Sequence, residues 1–225
     1  MTRFATSNDH TTKAGKTLTL MTRDEMGHKL LADVVQKDLE TALKLLESVD
    51  AQLRAKKQSS DLIRYANKFF LTDKKTIAAG DLTKIETIVT KVWNGLAGDV
   101  TIKAGTNVGT NDKDVSGAVR GRAAAGTPRP YHNVEVDLDD GISKTMGAMR
   151  IDQDTLLKGR LGVVTLIHEA SHKYAGTIDY CYLKNADQTP RGTFDDKAKA
   201  LINADSYGWF VVKVGRSSSQ KWLYS

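Results

Sequence analysis

The stretch His168-Glu169-Ala170-Ser171-His172-Lys173-Tyr174-Ala175-Gly176-Thr177-Ile178-Asp179-Tyr180-Cys181-Tyr182 decides how the rest of the chain is read. Two histidines stand four residues apart, and Leu161, Val164, Leu166 and Ile167 ahead of them supply apolar contacts at helical spacing. A helix is therefore expected from about Leu156 to Tyr174, capped by Asp154-Thr155 and with Leu157 among its buried residues. On such a helix His168 and His172 lie one turn apart on one face, where both imidazoles reach a single metal ion about 2.0–2.1 Å away. Glu169 stands on the adjoining surface, placed to take a proton from a water whose pKa the ion has lowered toward about 7, without itself being a ligand. With five His and six Glu in the chain, chance produces this His-Glu-x-x-His spacing about 0.003 times per sequence. Two surface histidines that merely share a helix are therefore a poor account of it.

Catalytic zinc takes three protein ligands and keeps a fourth position open. No His and no Glu follows His172, so patterns completed by a later residue of either type are excluded. The carboxylates on that side are Asp179, Asp187, Asp195, Asp196 and Asp205. Asp179 is the best placed, because Ala175-Gly176-Thr177 can end the helix with Gly176 in a left-handed cap and turn the chain back beside the metal. Cys181, and His132 on an expected strand, stay open as ligands here, although a lone cysteine is more often a small buried hydrophobe.

Working outward, Thr22-Arg23-Asp24-Glu25 has the form of a capping box. Behind it Leu31, Val35, Leu39, Ala42, Leu46, Val49 and Leu53 recur at steps of three and four, which predicts an amphipathic helix to about Lys57. Ser59-Ser60-Asp61 opens a second helix and Asp81 a third. Residues 104–130, rich in Gly, Ala, Thr and Arg and closed by Pro128 and Pro130, read as a loop. Short strands are expected at Val100–Lys103, Asn133–Leu138 and Ala148–Asp152. The expected organisation is a tail over 1–21 and one domain over 22–225, with a helical half (22–98), a small sheet and loop (99–152) and a metal-site half (153–225). The fold class is α+β, mainly helical with a small mixed sheet.

Composition sets the outer bounds. At 225 residues, 40% apolar and 27% charged, the chain has the make-up of an ordinary globular protein. No apolar run reaches the roughly 18 residues of a transmembrane helix, so no membrane partner is expected. The first 21 residues lack the apolar core of a signal peptide, so export would need a removed leader or another route. One cysteine excludes an intrachain disulfide and a cysteine-rich structural zinc site. A net charge of +6 is spread without a basic block, which reads as a solvated surface and not as a nucleic-acid interface.

His168-Glu169-Ala170-Ser171-His172 followed by Gly176-Thr177-Ile178-Asp179-Tyr180-Cys181-Tyr182 resembles the aspzincin metallopeptidases, the group of deuterolysin and the fungal peptidyl-Lys metalloendopeptidases. Asn203-Ala204-Asp205-Ser206-Tyr207 is also similar to a segment on a later helix of that family. The resemblance implies a zincin-like fold, one catalytic Zn2+ held by His168, His172 and Asp179, and Glu169 as general base and acid. It further implies Tyr182 as donor to the oxyanion, a monomer acting on protein or peptide, and work outside the producing cell. Asp205 is expected to bind substrate, with a place behind a ligand histidine as its other reading. Leu183 replaces a signature Gly, and Gly208 stands where Lys-selective relatives carry a second carboxylate, so Lys selectivity is not implied. A cell-wall peptide hydrolase, a toxin domain delivered into another cell and a non-catalytic zinc-bound interaction module are the rival functions.

Overall fold

The computed structural model describes residues 5–72, 76–105, 117–118, 121–123, 134–137, 143–182 and 196–217, with backbone alone from 117 to 145. Within the expected tail 1–21 the chain instead forms most of a hairpin that ends at Thr22: β1 (Thr6–Thr11) pairs antiparallel with β2 (Thr17–Thr22). The cause is the alternation in Thr17-Leu18-Thr19-Leu20, which sends both leucines to one face, where neither keeps any exposure. α1 (Glu25–Arg54) then buries Leu31, Val35, Leu39, Ala42, Leu46, Val49 and Leu53, the stripe read from the sequence. Its cap is Asp24, whose carboxylate accepts from the Gly27 amide at 2.7 Å, and not the Thr22–Glu25 box. Thr22 is drawn into the sheet and spends its hydroxyl on the Asp24 carbonyl at 2.8 Å.

α2 (Ser60–Phe70) starts at the expected cap, with Ser59 accepting from the Leu62 amide. α3 (Ala79–Ala97) begins two residues before Asp81. That carboxylate lies in the first turn and takes the Lys197 ammonium at 2.8 Å. β3 (Val100–Gly105) pairs parallel with β2 on one side and with β8 (Met149–Asp152) on the other. β4 (Gly117–Ala118) closes this sheet antiparallel to β8, giving the order β1-β2-β3-β8-β4. A second antiparallel sheet orders β5 (Gly121–Ala123), β7 (Ser143–Met146) and β6 (Val134–Asp137), so β6, within the expected strand 133–138, is an edge. Of the expected loop, most lies outside the described residues.

The remaining helices are α4 (Gln153–Leu156), α5 (Arg160–Ala175), α6 (Lys197–Ala200) and α7 (Ala204–Ser217). The single helix expected from Leu156 is therefore two. Asp152, not Asp154, caps α4 through the Thr155 amide, and Gly159 at φ 57° re-aims the chain before α5 begins. A positive φ of this kind suits glycine and interrupts a helix. Leu157 lies in the break and is exposed.

Every residue from Gly162 to Lys173 is buried. A helix with no solvated face must be covered on all sides, and α5 packs against α1, α3, α7 and β8. Phe70 of α2 locks α7 in place, its ring 4.8 Å from Tyr207 and 5.0 Å from Phe210. No helix among the described residues is long and apolar enough to cross a membrane.

Burial of α5 has a cost at Asp38. This α1 carboxyl is 6% exposed, its Oδ2 has no hydrogen-bond partner, and it faces Gly162, where it would collide with any Cβ. Burial pushes its pKa up to about 7, against the opposing charge of Lys37. The unfolded carboxyl releases its proton near its ordinary value of 3.8 while the folded one holds it to about 7, so this group lowers stability progressively as pH rises between the two and stays unfavourable above. Asp38→Asn should flatten that slope and gain on wild type by a few kcal/mol, in order of magnitude, between pH 4 and pH 8. Parallel melting-temperature profiles for the two proteins over that range would show that Asp38 is not the group responsible.

Candidate metal centre

His168 and His172 sit on the last two turns of α5, with ring centroids 4.8 Å apart and planes at 85°. Gly176 ends the helix in the left-handed conformation, φ 68°, its amide bonding the Ser171 and His172 carbonyls. The chain thus turns back, and Asp179 returns to the histidines. Its Oδ1 lies 3.2 Å from His168 Nε2 and 3.3 Å from His172 Nε2, while the two Nε2 atoms are 3.2 Å apart.

The tautomers follow from what stands behind each ring. His172 Nδ1 is 2.6 Å from the Thr177 carbonyl, which can only accept, so the proton is on Nδ1 and Nε2 presents a lone pair. His168 Nδ1 faces the Asp205 carboxylate at 3.4 Å, again an acceptor. Ser171 steadies the turn, bonding the His168 carbonyl and the Thr177 hydroxyl at 2.7 Å each. Two imidazole lone pairs and a carboxylate oxygen therefore converge on one point. Bonds of about 2.0–2.1 Å in a tetrahedral zinc site put neighbouring donors about 3.3 Å apart, which is the spacing of this triangle. His168, His172 and Asp179 can hold such an ion as they stand.

Charge points the same way. Burial works to lower the His168 pKa, yet hydrogen bonds to Asp179 and Asp205, with the charges of Glu169 and Asp179, hold it well above 6.5. Burial alone would raise the Asp179 carboxyl, but the two imidazoles bonded to it outweigh that and hold it far below the usual range. The cluster demands positive charge, as a proton on His168 or as a cation among the donors.

Glu169 is 1% exposed, with Oε1 3.7 Å from His168 Nε2 and Oε2 without a partner. Burial pushes its carboxyl up to about 7, the histidines opposing and Asp179 adding. Tyr182, about half exposed, lies parallel to the His168 ring at 6.1 Å and donates its hydroxyl to Asp179 Oδ2 at 2.8 Å. Burial and the neighbouring carboxylates raise that phenol well above its ordinary value.

Asp205 is 8% exposed and stands behind His168, its Oδ1 3.4 Å from Nδ1, which is the geometry of its other reading as a group holding a ligand ring. Gly208 explains the departure from a second carboxylate there: a Cβ at this position would lie 2.8 Å from the Val164 carbonyl oxygen and 3.5 Å from His168 Cβ. α7 comes too close to α5 for any side chain. Cys181 is buried and outside the donor set, and Asp196 caps α6. His132, Leu183, Asp187 and Asp195 lie outside the described residues. Two positions to which the sequence reading gave no role also belong to the site. The Thr177 carbonyl fixes a tautomer, and Asn203 bonds the backbone of Tyr180 and Cys181. No residue pattern announces a carbonyl's direction, and Asn203 shows only as part of the Asn-Ala-Asp run.

No family model matches the chain, and no curated protein matches it. Among solved structures, a zinc peptidase from Grifola frondosa matches with a TM-score of 0.51 over 87% of this chain and 98% of that one, at 15% identity. What the two share is a fold, α+β and zincin-like.

Asp179→Ala should weaken zinc binding by more than the roughly 10–100-fold expected of Asp205→Asn, which removes only a group behind a ligand. Affinity should also fall as pH drops, because zinc must displace the proton that His168 holds. Chelator competition at two pH values measures all three, and unchanged affinity in Asp179→Ala would place the third donor elsewhere.

Proposed function

We propose that this chain is a zinc-dependent endopeptidase acting on protein or peptide substrates. The reading rests above all on the convergence of His168 Nε2, His172 Nε2 and Asp179 Oδ1, with a buried carboxylate beside them whose second oxygen has no partner. Held by these donors, zinc supplies Lewis acidity, lowering the pKa of a water and polarising a carbonyl oxygen.

Glu169 takes the proton of the attacking water and delivers it to the leaving amine. A carboxyl whose pKa burial has brought up to about 7 is matched to proton transfer in both directions near neutrality. Asp205 and the Thr177 carbonyl hold the two imidazoles with their lone pairs inward. Tyr182 has a hydroxyl beside the donor set and half its surface open, so it can leave Asp179 Oδ2 to donate to the oxygen on which charge develops. β6, an edge strand among the described residues, offers main-chain groups for an extended peptide to pair with.

Glu169→Gln should bind zinc as wild type does and lose peptide hydrolysis by two or more orders of magnitude. Equal chelator-sensitive cleavage of a peptide library by both metal-loaded proteins would remove Glu169 from the chemistry. Tyr182→Phe separates two roles for the phenol. As oxyanion donor its loss lowers kcat by about 10²–10³ with zinc affinity nearly unchanged. A fall in zinc affinity at unaltered kcat would confine it to holding Asp179.

A further inference from the structure

We propose that Asn203 is a positioning residue for the metal centre, setting the backbone that carries Asp179 and Tyr182. The inference rests on the zinc-centre reading above and concerns a residue that touches none of the reacting atoms. Its carboxamide is wholly buried. Oδ1 accepts from two successive amides, Tyr180 at 2.9 Å and Cys181 at 3.0 Å, while Nδ2 donates to the Cys181 carbonyl at 3.1 Å and the Ser206 hydroxyl at 3.0 Å. Both lone pairs and both hydrogens are thereby used. One residue earlier, Ile178 and Asn203 form a parallel bridge, with the Ile178 amide on the Ile202 carbonyl and the Ala204 amide on the Ile178 carbonyl. Asp179 is thus pinned on both sides along the chain by residues 202–204, the segment that leads into α7.

Packing does not do this work. Ile178, Tyr180 and Tyr182 are each more than a third exposed, and in this segment Cys181 is the side chain that is buried. Position along 178–182 is therefore set by hydrogen bonds, and the Asn203 side chain supplies three of them, its fourth bond tying it to Ser206 of α7. Two residues on, in the first turn of α7, Asp205 meets His168 Nδ1. The short segment 202–205 thus places two of the three donors relative to each other. Asparagine is the side chain with this capacity at this length: Asp has the shape without the donors facing the Cys181 carbonyl, and Ala has neither.

The test compares wild type with Asn203→Asp, Asn203→Ala and a control, Leu53→Ala, which removes buried volume at the far end of α1. Zinc affinity is read by chelator competition, donor geometry by the visible spectrum of the Co2+-substituted protein, and kcat and KM on a peptide substrate. Both Asn203 variants should lose about 10–100-fold in zinc affinity, show an altered Co2+ spectrum, and lose more in kcat than in KM. Leu53→Ala should lower the melting temperature and keep wild-type affinity and spectrum. Should Asn203→Ala fail to fold, the isosteric Asp variant carries the measurement. Wild-type affinity and spectrum in a folded Asn203 variant, or an equal loss of affinity in Leu53→Ala, overturns the proposal. A wild-type protein that binds zinc but cleaves no peptide overturns the peptidase reading and leaves the Asn203 result standing, since affinity and spectrum are read without turnover.

Discussion

Three donor atoms held 3.2–3.3 Å apart, with each imidazole facing an acceptor behind it, are unstable neighbours unless positive charge, as a proton or a cation, sits between them. Much of the fold around α5 serves to enforce that encounter. The helix supplies two donors at fixed spacing because it is buried on every side and cannot rotate to relieve them. α7 supplies the counterforce, approaching so closely at Gly208 that its backbone lies against Val164, and sending Asp205 to one ligand ring. The Gly176 cap then returns the chain within seven residues of His172, a span short enough that little loop entropy opposes the third donor.

Enforcing the encounter leaves polar groups stranded. Asp38, Glu169 and Lys173 are all buried on or against α5 with an atom lacking a partner. Desolvation alone pushes the Lys173 ammonium down to about 8. An uncompensated buried charge costs several kcal/mol, and a fold selected only for stability would exchange such groups for apolar ones. On the proposed peptidase reading the Glu169 penalty has a functional counterpart, since the desolvation that destabilises the carboxylate is what brings its pKa to about 7. Asp38 has none in the donor set, and stands as a cost of bringing α1 against the start of α5.

How much of this the sequence carries depends on the range of the interaction. The two histidines, the adjacent glutamate and the Gly176 cap are local, set by helical spacing and one glycine, and the α1 stripe is legible for the same reason. The Leu18–Leu20 alternation is equally local. It stands in a polar segment, and its meaning depends on pairing with β3 some 80 residues away in the chain. Asp179 could be chosen among five aspartates because excluding His and Glu left few donors and a turn fixed the reach. The break at Gly159 was not legible, because Leu156, Leu157 and Leu161 continue a helical period through it, and only packing shows that Leu157 faces water. That Asp205 lies behind His168 depends on how α7 sits against α5, an arrangement set by Gly208 and by the aromatic contacts of Phe70, which no local pattern carries.

The choice of an aspartate as third donor follows from the same geometry. A donor arriving on a short exposed return must be held by its backbone, because its side chain has little surface to pack. A short carboxylate transmits backbone position to its oxygens through two torsions, whereas a glutamate adds a third and with it freedom that such a segment cannot remove. Tyr182 restricts the remaining freedom by taking Oδ2, which leaves Oδ1 to the histidines. The backbone itself is held from the segment leading into α7, through the Ile178 bridge and the Asn203 carboxamide. Ligand, phenol and amide clamp therefore form one unit, in which a short reach is workable because the chain behind it is tied down.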